Sequence, residues 1–569
     1  MNNAFRTDMA DGYQLDEPAI VLGAPMVGDE VLKDVKVQLA LSRVNRHGLI
    51  AGATGTGKTK TLQLFAGQLS DLGVPVFAVD VKGDLSGVGA PGDAANPKVV
   101  ERSESIGWAF KASGHPLEVL SLSGTHGSHV RASVSSFGPL LLGKVLDLNE
   151  TQTSILSLVF RYCDDQHLPL LDLADLRTTL KFLGSDDAKA ILEDLGGIGP
   201  ASLGVILRAI VTIEQEGADV FFGEPEFDVN ELLRTGLDGR GIVTLLEVAD
   251  VMDRPRLYST FVLWMLAQLY ESLPEVGDLP KPKLAFFFDE AHLLFDDASE
   301  ALLEQIERTA RLIRSKGVGV YFVTQAPTDV PSSVLSQLGN RVQHALRAFT
   351  PDDADALRKT ARTFPVTEHY DVERTITSLG IGEALVTVLS PKGVPTPLAA
   401  TRLVPPDSRM APLAEPELAA VVAASSLQAR YGTTVDRESA HEIITARLVA
   451  ARQAAEAAAR AAAGGAALPA GAGAGTGTTD PTSPYGGLTR TQYEAQIRRE
   501  TREAERERVR QQREAERERK ANERAARAVE RQRQKTLETG LRTAGRVVGS
   551  RAGQSLLRGV FDTIFGGKR

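Results

Sequence analysis

The stretch Gly52-Ala53-Thr54-Gly55-Thr56-Gly57-Lys58-Thr59 meets every fixed position of the pattern G-x-x-x-x-G-K-[ST]. The pattern makes a structural demand before it makes a chemical one: a buried strand must run into it and a helix must leave it. Leu49-Ile50-Ala51 reads as that strand, and Thr61, Leu62, Leu64 and Phe65 read as the first turns of that helix. Glycines let successive backbone amides curl around an anion without a Cβ in the way. The helix N-terminus adds a dipole that favours negative charge. Gly52 to Thr59 are therefore expected to cradle nucleotide phosphates, with Lys58 reaching the β- and γ-phosphates and the Thr59 hydroxyl binding Mg²⁺.

Further apolar strands follow, separated by helical stretches: "VPVFAVDVKGDL" (74–85), "GIVTLLEV" (241–248), "KLAFFFDEAH" (283–292), "GVGVYFVTQAP" (317–327) and "RVQHALRAF" (341–349). Such alternation implies a mainly parallel sheet covered on both faces. Residues 138–236 have helical spacing and few β-branched residues, which predicts a helical insertion in the sheet fold. The expected organisation is a lead-in over 1–45 and a first part of a P-loop ATPase core over 46–137. The insertion over 138–236 is followed by the second part of the core over 237–410. A helical extension covers 411–447, a low-complexity linker 448–489, and a charged helical tail with a basic end 490–569. The tail carries many Glu/Arg pairs at i,i+4 but no sustained apolar heptad. Its final segment, with apolar residues among Gly and Arg, is a candidate for docking on a partner subunit or a membrane surface.

Charge is divided unevenly. Residues 490–569 hold 22 basic and 12 acidic residues, a balance of +10, against 42 and 61, or −19, in the preceding part. The body is acidic, so contact with DNA must be confined to a local groove, a pore or the tail. Cys163 is the only cysteine, which excludes an intrachain disulfide and a cysteine-based zinc site and fits a reducing, cytoplasmic compartment. The first residues have no apolar signal-peptide core, and no stretch approaches ~18 uninterrupted apolar residues, so no membrane span is expected.

Phe286-Phe287-Phe288-Asp289-Glu290 narrows the chemistry. It is an apolar strand ending in two acids, with Asp289 placed to hold Mg²⁺ and Glu290 to polarise an attacking water as general base. A glutamate there favours nucleotide hydrolysis over phosphoryl transfer to a metabolite. No N-K-x-D guanine signature occurs. The string "DEAH" (289–292) suggests a two-lobed helicase, but this chain has one lobe, and its Lys58 and Asp289 lie 231 residues apart. His292 reads as structural or as a relay to Glu290.

Taken together, "RHGLIAGATGTGKT", "VDVKGDL", "FFFDEAHLLF", "ARLIRSKGVGVYFVTQAP" and "LGNRVQHAL" resemble the HerA/FtsK superfamily of ring-forming translocases, and most closely the bacterial HerA-like helicase-domain proteins of unassigned role. The resemblance spans roughly residues 15–445 and includes the basic C-terminal end. It implies a RecA-like α/β core, use of ATP and Mg²⁺, a hexameric ring and work on DNA. It also implies roles for single residues. Gln325 matches a polar sensor of the γ-phosphate, and Arg311 and Arg314 match arginines of which one acts across a subunit boundary. Arg46 matches an arginine near the nucleotide, and Asp80 and Asp84 flank a strand tip beside the phosphates. HerA proper has a long N-terminal β-barrel region; here there is a short lead-in. The expected activity is that of an ATP-hydrolysing DNA translocase or helicase. The alternative is an ATPase that moves or remodels protein, or a nucleotide-gated switch.

Overall fold

The computed structural model describes residues 3–464 except 190, 192–198, 252–254 and 296–299. The charged tail 490–569 and most of the low-complexity linker lie outside the described residues. The described strands form one 13-stranded sheet. They are β1 (Ala19–Val27), β2 (Glu30–Val31), β3 (Val37–Ala40), β4 (Gly48–Ala51), β5 (Val76–Asp80), β6 (Leu117–Ser121), β7 (Ser128–His129), β8 (Val243–Glu247), β9 (Leu284–Phe288), β10 (Val318–Thr324), β11 (Asn340–Gln343), β12 (Glu383–Thr387) and β13 (Ala399–Leu403). Their order is β2-β1-β13-β12-β11-β4-β10-β9-β5-β8-β6-β7, with β3 pairing on β1. From β11 to β7 every pair is parallel; β12, β13, β1, β2 and β3 add antiparallel neighbours. This is the expected α/β core with a mainly parallel sheet.

Three consecutive phenylalanines show why the sheet needs cover on both faces. Side chains alternate along a strand, so Phe286 and Phe288 enter one apolar layer and Phe287 the other. Phe288 stacks on Phe322 at 5.5 Å on the first face, and Phe287 stacks on Tyr321 at 5.0 Å on the second. Truncating any one of them to Ala would cost ~3–5 kcal/mol. The first layer extends into the helical insertion, whose described helices are Val134–Val145, Glu150–Asp165, Leu173–Leu183 and Pro200–Gln215. Two of them open with capping boxes, Asn149 with Gln152 and Asp172 with Asp175, so the insertion is specified locally as well as by packing.

Two elements differ from expectation. The lead-in contains a helix, Asn3–Tyr13, whose Phe5, Met9 and Tyr13 lie one turn apart and are buried. The Tyr13 hydroxyl donates to the Pro397 carbonyl at 2.7 Å, and β1 pairs with β13, which makes the lead-in an integral edge of the sheet. The strand expected over 341–349 is only Asn340–Gln343. Beyond it, His344 still bonds Ala51 O through its backbone N–H and packs on the phosphate loop. No helix among the described residues is long and apolar enough to cross a membrane.

Candidate active site

Parallel strands bring their C-terminal ends to one edge, and the chemistry-bearing residues collect there. In strand order the edge reads Glu247 ending β8, Asp80 ending β5, Asp289 and Glu290 after β9, Thr324 ending β10 with Gln325 after it, and then the loop Gly52–Gly57 after β4. Strand pairing places Asp80 directly beside Glu247.

The loop is held by its neighbours. Gly52 N donates to Thr324 O at 3.2 Å, Ala53 N to Ala345 O at 2.8 Å, and Gly382 N to Thr56 O at 3.0 Å. A Cβ on Gly52 would stand 2.4 Å from the His344 Cβ, so only glycine fits. Gly57 is left-handed at φ 113° and opens the helix Lys58–Asp71. His344 underpins the turn: its backbone N–H bonds Ala51 O at 2.7 Å and its Nε2 lies 2.9 Å from the Thr61 hydroxyl. Burial, with the Lys58 charge nearby, pushes its ring down to about 4, so it stays neutral. Lys58 Nζ donates to Gly52 O at 2.7 Å and lies over the loop it belongs to.

The acids are buried and close together. Asp289 is 2% exposed, and its Oδ2 has no hydrogen-bond partner. Burial and then the Glu290 charge push its carboxyl up to about 7. An orphaned, deeply buried carboxylate oxygen at the end of a strand beside a phosphate loop fits a cation ligand, as its residue type predicts. Glu290 is also buried and sits in the left-handed region at φ 46°. Burial acts to raise its carboxyl, yet an ion pair from Oε1 to Lys82 Nζ, with help from Lys58, holds it below the usual glutamate range. His292 Nδ1 lies 3.5 Å from Glu290 Oε2.

Beside them, Asp80 accepts from Leu85 N at 2.8 Å and Asp84 N at 3.2 Å. Burial outweighs these bonds and pushes it up to about 6. Glu247 goes further, to about 8, through burial and then the charges of Asp80, Asp250 and Asp84. Sequence reasoning passed over Glu247, Lys82 and His344. The available signal was positional: each of them ends a buried strand or follows one within two residues. Gln325 is exposed just beyond β10, between the acids and the loop in strand order. Its neighbours Thr324 Oγ1 and Ala326 N are both anchored on Asp329 Oδ2, at 2.7 and 2.8 Å.

The arginines lie elsewhere. Arg46 precedes β4, and Arg311 and Arg314 precede β10, so all three occupy the N-terminal edge of the same central strands. Arg46 Nη2 bonds Asp278 Oδ1 at 2.7 Å. Arg314 is exposed and close enough for its charge to act on Arg46 and His47. Five residues, His47 and the four of β4, separate Arg46 from Gly52, and β4 alone spans roughly 13 Å at about 3.3 Å per residue. Within one chain the structure brings Lys58 within reach of the charges of Glu290 and Asp289 and leaves Arg46, Arg311 and Arg314 on the far edge. Arg46, which by resemblance matches an arginine near the nucleotide, lies on the N-terminal edge of its own chain.

Comparison with known proteins identifies the family. The helicase HerA-like C-terminal family model matches residues 27–482. The chain belongs to that family. The HerA DNA double-strand break repair helicases of Saccharolobus solfataricus and Sulfolobus acidocaldarius are 20% identical over 365 residues and 21% identical over 384 residues. Each match covers 64% of this chain and 66% of the relative, so the chain spans just under two thirds of the length of these relatives. Among solved structures, the unbound conjugative coupling protein TrwB is 14% identical with a TM-score of 0.45, covering 71% of this chain and 93% of that one. VirB4 of Thermoanaerobacter pseudethanolicus is 14% identical with a TM-score of 0.44, covering 69% and 98%.

Proposed function

We propose that this HerA-like chain is an ATP-hydrolysing motor that assembles into a hexameric ring and translocates on DNA. One observation carries the reading: the phosphate loop and acids sit on one edge of the sheet, and the arginines sit on the other. A neighbour that presents its arginine edge to this chain's phosphate loop completes the site, and a closed ring does so for every subunit. Gly52–Thr59 bind the phosphates, and Lys58 leaves its own loop carbonyls to meet them. A Mg²⁺ held by Thr59 and Asp289 would neutralise phosphate charge as the bond to the leaving oxygen breaks. Glu290, kept ionised by Lys82, takes the proton of the water that attacks the γ-phosphorus. Gln325 reports whether the γ-phosphate is present. Arg314 of the neighbour, with Arg46 and Arg311 beside it, stabilises the charge on the transferring phosphoryl group.

The DNA assignment is supported by the curated relatives, which are named as DNA repair helicases. The acidic body, at −19 outside the tail, favours a second reading in which the ring moves or remodels protein. ATP turnover measured with and without double-stranded DNA across a salt series separates them. Stimulation that fades as salt rises supports the DNA motor. Absence of stimulation at every salt concentration favours the protein-directed reading.

A further inference from the structure

A second group of ligating side chains lies at the far end of the helix that follows the phosphate loop. Asp71 is the last residue of that helix, Lys58–Asp71. Its carboxylate meets His115, two residues before β6, and Asp407, beyond β13. One ligand atom from each of the three lies within 4.8 Å of the other two. The His115 side chain is fully buried, with Nδ1 3.4 Å from Asp71 Oδ1 and Nε2 3.1 Å from Asp407 Oδ1. Space is kept for the ring by a glycine: a Cβ on Gly67, one turn before Asp71, would stand 2.8 Å from His115 Nε2 and 2.9 Å from Asp407 Oδ1. The backbone fixes both partners of Asp71. His115 N donates to Val88 O at 3.0 Å, and Asp407 O accepts from Gly92 N at 2.9 Å and Ser113 N at 3.0 Å.

The two ring nitrogens are not equivalent. Nε2 shares a hydrogen bond with Asp407, whereas Nδ1 is buried and makes none, even with the nearby Asp71 oxygen. A buried polar atom without a partner calls for a ligand. The spacing suits a shared ion better than a hydrogen bond: two ligands about 2.0–2.2 Å from one metal, spread by about 90–110°, stand roughly 3–3.5 Å apart. We infer that His115 Nδ1 and Asp71 bind a divalent transition-metal ion of the Zn²⁺ kind, and that Asp407 holds the ring from behind. With the metal on Nδ1, the ring hydrogen sits on Nε2 and is donated to Asp407, an arrangement that orients a ligating histidine and raises its basicity. An imidazole nitrogen favours Zn²⁺ over Mg²⁺ and Ca²⁺, which take oxygen ligands. The two carboxylates supply charge to hold a dication, and the C-terminal end of the helix adds a negative dipole pole. Asp71 is 45% exposed, so water reaches the ion and completes its coordination. Lys58 and Asp71 are about 20 Å apart along the helix at 1.5 Å per residue, which separates this site from the Mg²⁺ of the nucleotide. The ion ties the outer end of the phosphate-loop helix to the segment beyond β13.

The test is a calorimetric titration of the full-length, chelator-stripped chain with Zn²⁺ in millimolar Mg²⁺, which occupies sites built from oxygen ligands alone. The parent should bind one Zn²⁺ per chain saturably. His115→Gln should abolish this binding. Asp71→Asn, at a half-exposed position that leaves the core untouched, should weaken it by about tenfold or more. Asp407→Asn should weaken it by about 10–100-fold, the scale of losing the carboxylate behind a ligating histidine. Zn²⁺ should also raise the unfolding midpoint of the parent more than that of Asp71→Asn. A parent chain that binds no Zn²⁺ overturns the assignment and leaves the three residues as an ion-paired bridge. Zn²⁺ binding of unchanged strength in Asp71→Asn and His115→Gln overturns it as well, because the ion then sits elsewhere.

Discussion

The two edges of the central sheet are built to opposite electrostatic rules. At the C-terminal edge, Glu247, Asp80, Asp289 and Glu290 are all buried. Three of them are pushed up, to about 8, 6 and 7, because burial and mutual repulsion outweigh their hydrogen bonds. Lys58 and Lys82 reach into that field. At the N-terminal edge, Arg311 and Arg314 are exposed, and the carboxylate bonded to Arg46 belongs to Asp278, itself 70% exposed. One edge concentrates buried negative charge around a phosphate loop; the other holds positive charge on the surface. In the proposed reading neither edge is a complete hydrolytic site, and a head-to-tail assembly would join the two.

The comparison can be broken most sharply at Arg314. Arg314→Ala should bind ATP nearly normally and hydrolyse it ~10³-fold or more slowly, the scale of a lost arginine finger. Normal turnover would leave the N-terminal edge without a catalytic part. Glu290→Gln comes next on the opposite edge. It should retain ATP binding and lose roughly 10²–10⁴-fold in turnover, the contribution of a placed general base. Near-normal turnover would remove Glu290 from that role.

Lys82 tests why the acid edge stays usable. In Lys82→Ala the burial of Glu290 is no longer opposed by its ion pair, so its carboxyl titrates higher. Glu290 must be ionised to accept a proton, so the acid limb of the pH–rate profile should move to higher pH. An unmoved limb would show that Lys82 does not set the protonation of Glu290. The smallest effect is on stability. Glu247 is raised in the folded state, so its favourable contribution is full below the ordinary glutamate range and is lost as pH climbs toward about 8. Glu247→Gln should therefore flatten the decline in unfolding free energy between pH 5 and 9, by on the order of a few kcal/mol, in denaturant titrations with chelator present. Identical slopes for variant and parent would mean that Glu247 is not strained by its neighbours.

Much of the acid edge was legible in the amino-acid order because its signals are contiguous. The phosphate loop declares itself in eight residues between an apolar strand and a helix, and Asp289-Glu290 follow three phenylalanines. What stayed hidden depends on pairings distant in sequence. Glu247 becomes an active-edge residue only because β8 lies against β5, and Lys82 meets Glu290 only because β5 lies against β9. His344 supports the loop because β11 pairs with β4. Arg46 looked close to the loop in sequence, yet a strand carries the chain across the sheet between them. The helix at Asn3–Tyr13 was missed for a local reason: its buried spacing, Phe5, Met9 and Tyr13, is one narrow stripe on an otherwise polar segment.

The central claim is that a site on one subunit is completed by arginines of the next, and mixing tests it most directly. Lys58→Ala subunits carry an intact Arg314 and a disabled loop; Arg314→Ala subunits carry an intact loop and no finger. Each alone should be nearly inactive. Co-assembled, some interfaces pair a working loop with a working arginine, so ATP turnover should return in part and peak near equal amounts of the two. If mixed oligomers form and turnover stays at the level of either parent, Arg314 does not act across the boundary, and the account of two half-sites joined by assembly is contradicted.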